Sequence, residues 1–111
     1  MEITAGRGGG IAGSVTTKEL GPIDTSALDA EIRSRIEALV KSVDFFQVST
    51  NFPVSAPRSD PESTWIRVVN GNKDRTIGWD DNHEPPSQLE DLVHSLEESG
   101  AAWHDVPPPP L

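Results

Sequence analysis

Between Ile3 and Leu20 two extended runs flank the glycine-rich segment Gly6-Arg7-Gly8-Gly9-Gly10-Ile11-Ala12-Gly13. This pattern leaves the chain little choice but a strand, a tight exposed loop and a returning strand. Thr4, Val15, Thr16 and Thr17 are β-branched and suit a pleated surface, whereas consecutive glycines accept the positive φ angles of a chain reversal. The loop carries one bulky apolar residue, Ile11, among glycines and an alanine. Such a side chain cannot bury itself locally, so it is covered either by the body of the domain or by a partner.

Two phosphate-binding patterns are mimicked here and rejected. Gly8-Gly9-Gly10-Ile11-Ala12-Gly13 has the spacing of a dinucleotide-binding fingerprint. That fingerprint has to open a helix whose N-terminal amides hold the pyrophosphate. Here the continuation Ser14-Val15-Thr16-Thr17-Lys18 is β-branched and runs into Gly21-Pro22, which is expected to break the strand. The glycine spacing of a phosphate loop also fails, because no lysine stands between Gly13 and Ser14 to meet the phosphate charge.

A chain of 111 residues supports one domain with a modest core. Its net charge of −9 opposes attraction to phosphate backbones or anionic lipid, so neither nucleic acid nor a membrane surface is expected as a partner. With no cysteine there is no disulfide framework or thiolate chemistry, and no apolar run is long enough for a signal peptide or a span. The expected location is the cytoplasm.

Beyond Gly21-Pro22 the period changes. Leu28, Ile32, Ile36, Leu39, Val40 and Val43 recur at helical spacing with charged residues between them, which predicts an amphipathic helix capped by Thr25 or Ser26. Asp44-Phe45-Phe46 ends it and turns the chain back with two core aromatics. Asn51 to Ser63, with Pro53, Pro57 and Pro61, reads as an exposed loop. Thr64 to Val69 and Arg75 to Trp79 read as strands joined through Asn70-Gly71-Asn72-Lys73-Asp74. Alternation sets Ile66 and Val68 on one face and Trp65, Arg67 and Val69 on the other.

Asp80-Asp81-Asn82-His83-Glu84 is rich in metal-capable groups, but Pro85 stands where a calcium loop needs glycine, and His83, His94 and His104 lack zinc spacing. No metal and no cofactor are expected. Ser87-Gln88-Leu89-Glu90 has the form of a capping box, and Leu89, Leu92, Val93 and Leu96 predict a second helix that ends at Gly100. Residues 101–111, with Pro107 to Pro110, read as a proline-rich tail outside a domain of residues 1–100. The expected fold is therefore α+β, a four-stranded, mainly antiparallel sheet in ββαββα order with both helices on one face.

Taken in order, the Gly-Gly-Ile-Ala-Gly loop between two strands, the long helix leading into Asp44-Phe45-Phe46, the Trp65-Ile66-Arg67-Val68-Val69 strand with its Asn-Gly turn and the leucine-rich helix after prolines resemble emfourin. Emfourin-like proteins inhibit thermolysin-like zinc metallopeptidases such as protealysin. Family members often carry an aromatic residue where this chain has Ile11. The resemblance implies a non-enzymatic inhibitor, monomeric when free. Its exposed loop, Gly8, Gly9, Gly10, Ile11, Ala12 and Gly13, would enter the peptidase cleft and offer Ile11 to the pocket just beyond the scissile bond. A backbone carbonyl, or a carboxylate from a nearby loop, would then sit at the open position of the enzyme's zinc. No nucleophile-base pair or carboxylate pair has catalytic spacing. The competing expectations are a non-inhibitory interaction module that uses the same hairpin, and a main contact made by residues 51–63 rather than 6–13.

Overall fold

In the computed structural model, which describes residues 1–9, 16–55 and 62–106, five strands and two helices follow the order β1 (Glu2–Gly9), β2 (Thr16–Asp24), α1 (Ala30–Ser42), β3 (Ser63–Asn70), β4 (Lys73–Asp80), α2 (Ser87–Glu98) and β5 (His104–Val106). The sheet is antiparallel throughout, with strand order β4-β3-β1-β2-β5. The expected α+β class holds. The expected count of four strands does not, since β5 forms within the segment read as a tail and pairs with the outer edge of β2.

One face of the sheet carries the core. Ile3 and Ala5 of β1, Leu20 of β2, Ile66 and Val68 of β3 and Ile77 of β4 are all fully buried, as the period of two requires. They form one cluster with Ile36 and Val40 of α1 and with Leu89, Leu92, Val93 and Leu96 of α2. Each helix has only a stripe of apolar residues and must bury it, and the sheet offers one apolar face on which both stripes meet. Arg35 and Glu98 pair across the outer surface of the two helices.

The ends of the elements have local causes. Asp29 caps α1, its carboxylate accepting from the Glu31 amide at 2.9 Å. The expected caps Thr25 and Ser26 instead belong to a short 3₁₀ turn, residues Thr25–Ala27, capped by Asp24. At the other end Phe45 N–H donates to the Val40 carbonyl and Asp44 N–H to that of Lys41, both at 3.1 Å. This is a Schellman closure with Asp44 in the left-handed region at φ 53°. The closure delivers Phe45 into the core over Val40, and Phe46 meets it edge-on at 5.8 Å. For α2 the capping box does not form: Pro86 is the N-cap, with no side-chain hydrogen bond, and Ser87 is already helical. Proline preorganises that boundary without a donor of its own. Gly100, at φ 94°, follows the end of α2 as expected.

Gly21-Pro22 does not end its strand. The β1–β2 register passes from Ile3↔Ile23 to Ala5↔Leu20, so Gly21 and Pro22 together stand opposite the single residue Thr4. This is a bulge, one of the few places where a strand tolerates proline. Gly21 has φ 105°, and a Cβ there would meet the Ile3 carbonyl at 2.9 Å. The Asn-Gly signal is realised as a two-residue hairpin, Gly71-Asn72, with Gly71 at φ 64° between the paired Asn70 and Lys73.

Candidate binding site

The sheet register fixes where the proposed contact loop leaves the domain. β1 pairs with β2 on one side up to Gly9↔Thr16 and with β3 on the other up to Gly8↔Ser63. Gly8 and Gly9 are therefore the last rungs of an interior strand. Gly10, Ile11, Ala12 and Gly13 lie outside the described residues. Between Gly9 and Thr16 the connection spans only residues 10–15, so its two ends are held one strand spacing apart by the ladder.

The second exposed segment leaves from the same end. Ser63, the first residue of β3, pairs with both Gly8 and Asp80. Residues 56–61 lie outside the described residues, but the residues on either side of them are stitched to the turn after β4. Ser55 donates its backbone N–H to the Asn82 carbonyl at 2.7 Å and its hydroxyl to that of Asp81 at 3.1 Å. Glu62 N–H donates to the Asp81 carboxylate, and Asp81 N–H to the Glu62 carbonyl, both at 3.0 Å. Val54 bridges His83, and Glu84 N–H reaches the Pro53 carbonyl at 2.8 Å. The two segments that compete as contact surfaces in the sequence thus share one end of the sheet.

Arg7 links the parts of that end. Its guanidinium lies 3.6 Å from the Glu62 carboxylate and 5.0 Å from the ring centre of Trp103, a cation–π arrangement. Arg7, Glu62, Asp81, Glu90, His94 and Trp79 line a polar cavity of about 140 Å³ beside them. Trp103 packs against the core cluster, and no acceptor among the described residues reaches its buried Nε1. Sequence reasoning placed Trp103 in a free tail and missed this role. Its one available signal was a large apolar side chain seven residues after the last helical leucine.

The acidic turn is occupied with itself. Asp80 accepts from the Asn82 amide at 2.9 Å and bonds the His83 ring at 2.7 Å. The hydrogen bond from His83 holds the Asp80 carboxyl below its ordinary pKa, with the Asn82 amide adding to the effect. Among the described residues no group of three or more histidines, aspartates or glutamates converges as a metal site would require. The open face of the sheet is built from Trp65, Arg67, Asp74 and Thr76, which surround a shallow depression. Arg67 and Asp74 form a two-point ion pair at 2.6 and 2.9 Å, and this bond raises the arginine pKa and lowers that of the aspartate. Both side chains are about half exposed, so water screens most of the pair's energy.

The arrangement presents a framework of hydrogen-bonded strands with two connections at one end. No helix of the described residues is long and apolar enough to cross a membrane. Compared with protein-family models, with curated proteins and with solved structures, the chain matches none.

Proposed function

We propose that this protein inhibits thermolysin-like zinc metallopeptidases by placing the connection 10–15, with Ile11 as its anchor, in the active-site cleft. The observation that carries the reading is the position of β1: the strand that feeds the loop is interior, paired on both sides to its last residues. A substrate-like loop resists turnover when its ends are held. A peptide bond cut in such a loop leaves both new ends in place, and ordering on binding costs little because the flanks are already ordered. Resemblance to emfourin-like inhibitors supplies the class of target. Small residues around Ile11 let the backbone approach the cleft closely, and a branched apolar side chain suits the pocket beyond the scissile bond.

The peptidase brings the zinc, so the inhibitor needs no metal of its own. A thermolysin-like peptidase titrated with the purified protein at saturating zinc is expected to lose activity in proportion to inhibitor added, with an end point at one inhibitor per enzyme. Activity that persists at a large excess of the protein rejects the inhibitor reading and leaves a binding module of another kind. Inhibition that disappears when zinc is saturated identifies chelation instead.

A further inference from the structure

The segment after α2 has no evident purpose in a compact domain, yet it returns across the sheet to one particular place. β5 pairs Thr17↔Val106, Lys18↔Asp105 and Glu19↔His104. These are the β2 residues next to the Gly9↔Thr16 rung, the last before the contact loop. Among the described residues, the remainder of β2, toward Asp24, has no strand on its outer side. β5 therefore covers the free edge of the hairpin only where the loop leaves it.

The charges at this point need the cover. Arg7 and Lys18 stand directly opposite each other in the β1–β2 ladder, and like charges in that position oppose pairing. Glu62 already meets Arg7 from the β3 side, and the C-terminal segment reaches both cations. Asp105 stands directly opposite Lys18 on its other side, and Trp103 presents its ring to the Arg7 guanidinium at 5.0 Å. Without residues 103–106 the ladder would lose three rungs on its outer edge, keep two cations facing each other, and free Arg7 from its aromatic seat.

We propose that Trp103–Val106 is a strap that holds the β1–β2 hairpin in register at its Gly9↔Thr16 end. Trp103 and Asp105 are positioning residues that act on the end of the hairpin through Arg7 and Lys18. The strap's importance for inhibition rests on the reading given under Proposed function; its effect on the hairpin does not.

Amide hydrogen exchange measures the second point without any peptidase. Three variants are compared with the intact chain: one ending at Ala102, one ending at Val106, and Trp103→Ala. Ending at Ala102 is expected to speed exchange at Thr17, Lys18 and Glu19 at least tenfold while Ile66, Val68 and Leu92 keep their protection. Trp103→Ala should give a smaller change in the same residues, and Trp103→Phe should recover most of the protection, since it keeps an aromatic face for Arg7 while giving up the pyrrole part of the ring, whose N–H has no acceptor among the described residues. Ending at Val106, which removes only residues 107–111, should change nothing. Unchanged exchange at residues 17–19 in the Ala102 variant overturns the strap. So does a uniform loss of protection through the core in both the Ala102 variant and Trp103→Ala, which would make the segment ordinary core. Cleavage of the loop by a thermolysin-like peptidase should rise at least tenfold in the Ala102 variant; if exchange responds and the intact chain inhibits no peptidase, the strap stands and the inhibitor reading falls.

Discussion

Trp65 and Gly6 face each other across the β1–β3 ladder on the side of the sheet away from the helices. The indole lies flat against the glycine: a Cβ added at Gly6 would fall 1.9 Å from Cε2 of Trp65 and 2.2 Å from Cζ2 and Nε1. No real contact is that short, so in Gly6→Ala the ring has to leave its seat. Overpacking of this kind costs about 1–3 kcal/mol. Against it, alanine in a strand interior is favoured over glycine by about 0.5–1 kcal/mol, so the net loss expected is about 0–2.5 kcal/mol. The sign reverses when the ring is absent. In a Trp65→Ala background the clash disappears, and Gly6→Ala should stabilise by up to about 1 kcal/mol. Urea denaturation of the four proteins of this cycle measures the coupling directly. Equal effects of Gly6→Ala in the two backgrounds would refute the reasoning, because the indole would then not be resting on the glycine.

Leu92, fully buried in the α2 stripe, is expected to cost about 2–5 kcal/mol when replaced by alanine, and an unchanged melting temperature would remove α2 from the core. Asp24, Asp74 and Asp80 all have folded-state pKa values below their ordinary one, held down mainly by hydrogen bonds from Ser26, Arg67 and His83 respectively. Groups lowered in this way contribute stability that is complete above the ordinary aspartate range and is lost as pH falls through the folded values. Stability should therefore decline with acidification in that window, and the decline should be shallower in an Asp74→Asn, Asp80→Asn double variant followed by thermal melts.

Much of the fold is legible in residue pattern because local and tertiary demands agree. Ile66 and Val68 alternate with Trp65 and Arg67, and the burial follows; Leu89, Leu92, Val93 and Leu96 fall on one helical stripe, and all four are buried. The failures have a common physical origin in pairing between distant residues. Gly21-Pro22 signals a break locally, but a bulge opposite Thr4 absorbs it, and a bulge exists only in relation to a partner strand. β5 is three residues long and lies directly before a proline run. Its extended form is dictated by the exposed edge of β2, which no local propensity encodes. The capping box before α2 matches in spacing, yet Pro86 takes the cap position and Ser87 enters the helix. At the candidate site the pairing of β1 with β2 was legible from the glycines between them. What the sequence did not disclose was that residues 8 and 9, 55 and 62, and 103 to 106 gather at one end of one sheet, since only the register brings them together.

Ile11→Ala separates an exposed anchor from a core residue, and with it the central claim. The inhibition constant against a thermolysin-like peptidase and the melting temperature are measured on the same two preparations, the parent chain and the variant. Truncation of a central interface anchor typically costs about 2 kcal/mol or more, at least a tenfold rise in the inhibition constant, and the account predicts this with an essentially unchanged melting temperature. A variant that is destabilised by a few kcal/mol and still inhibits as strongly as the parent would contradict it, by placing Ile11 in the core and the contact surface elsewhere.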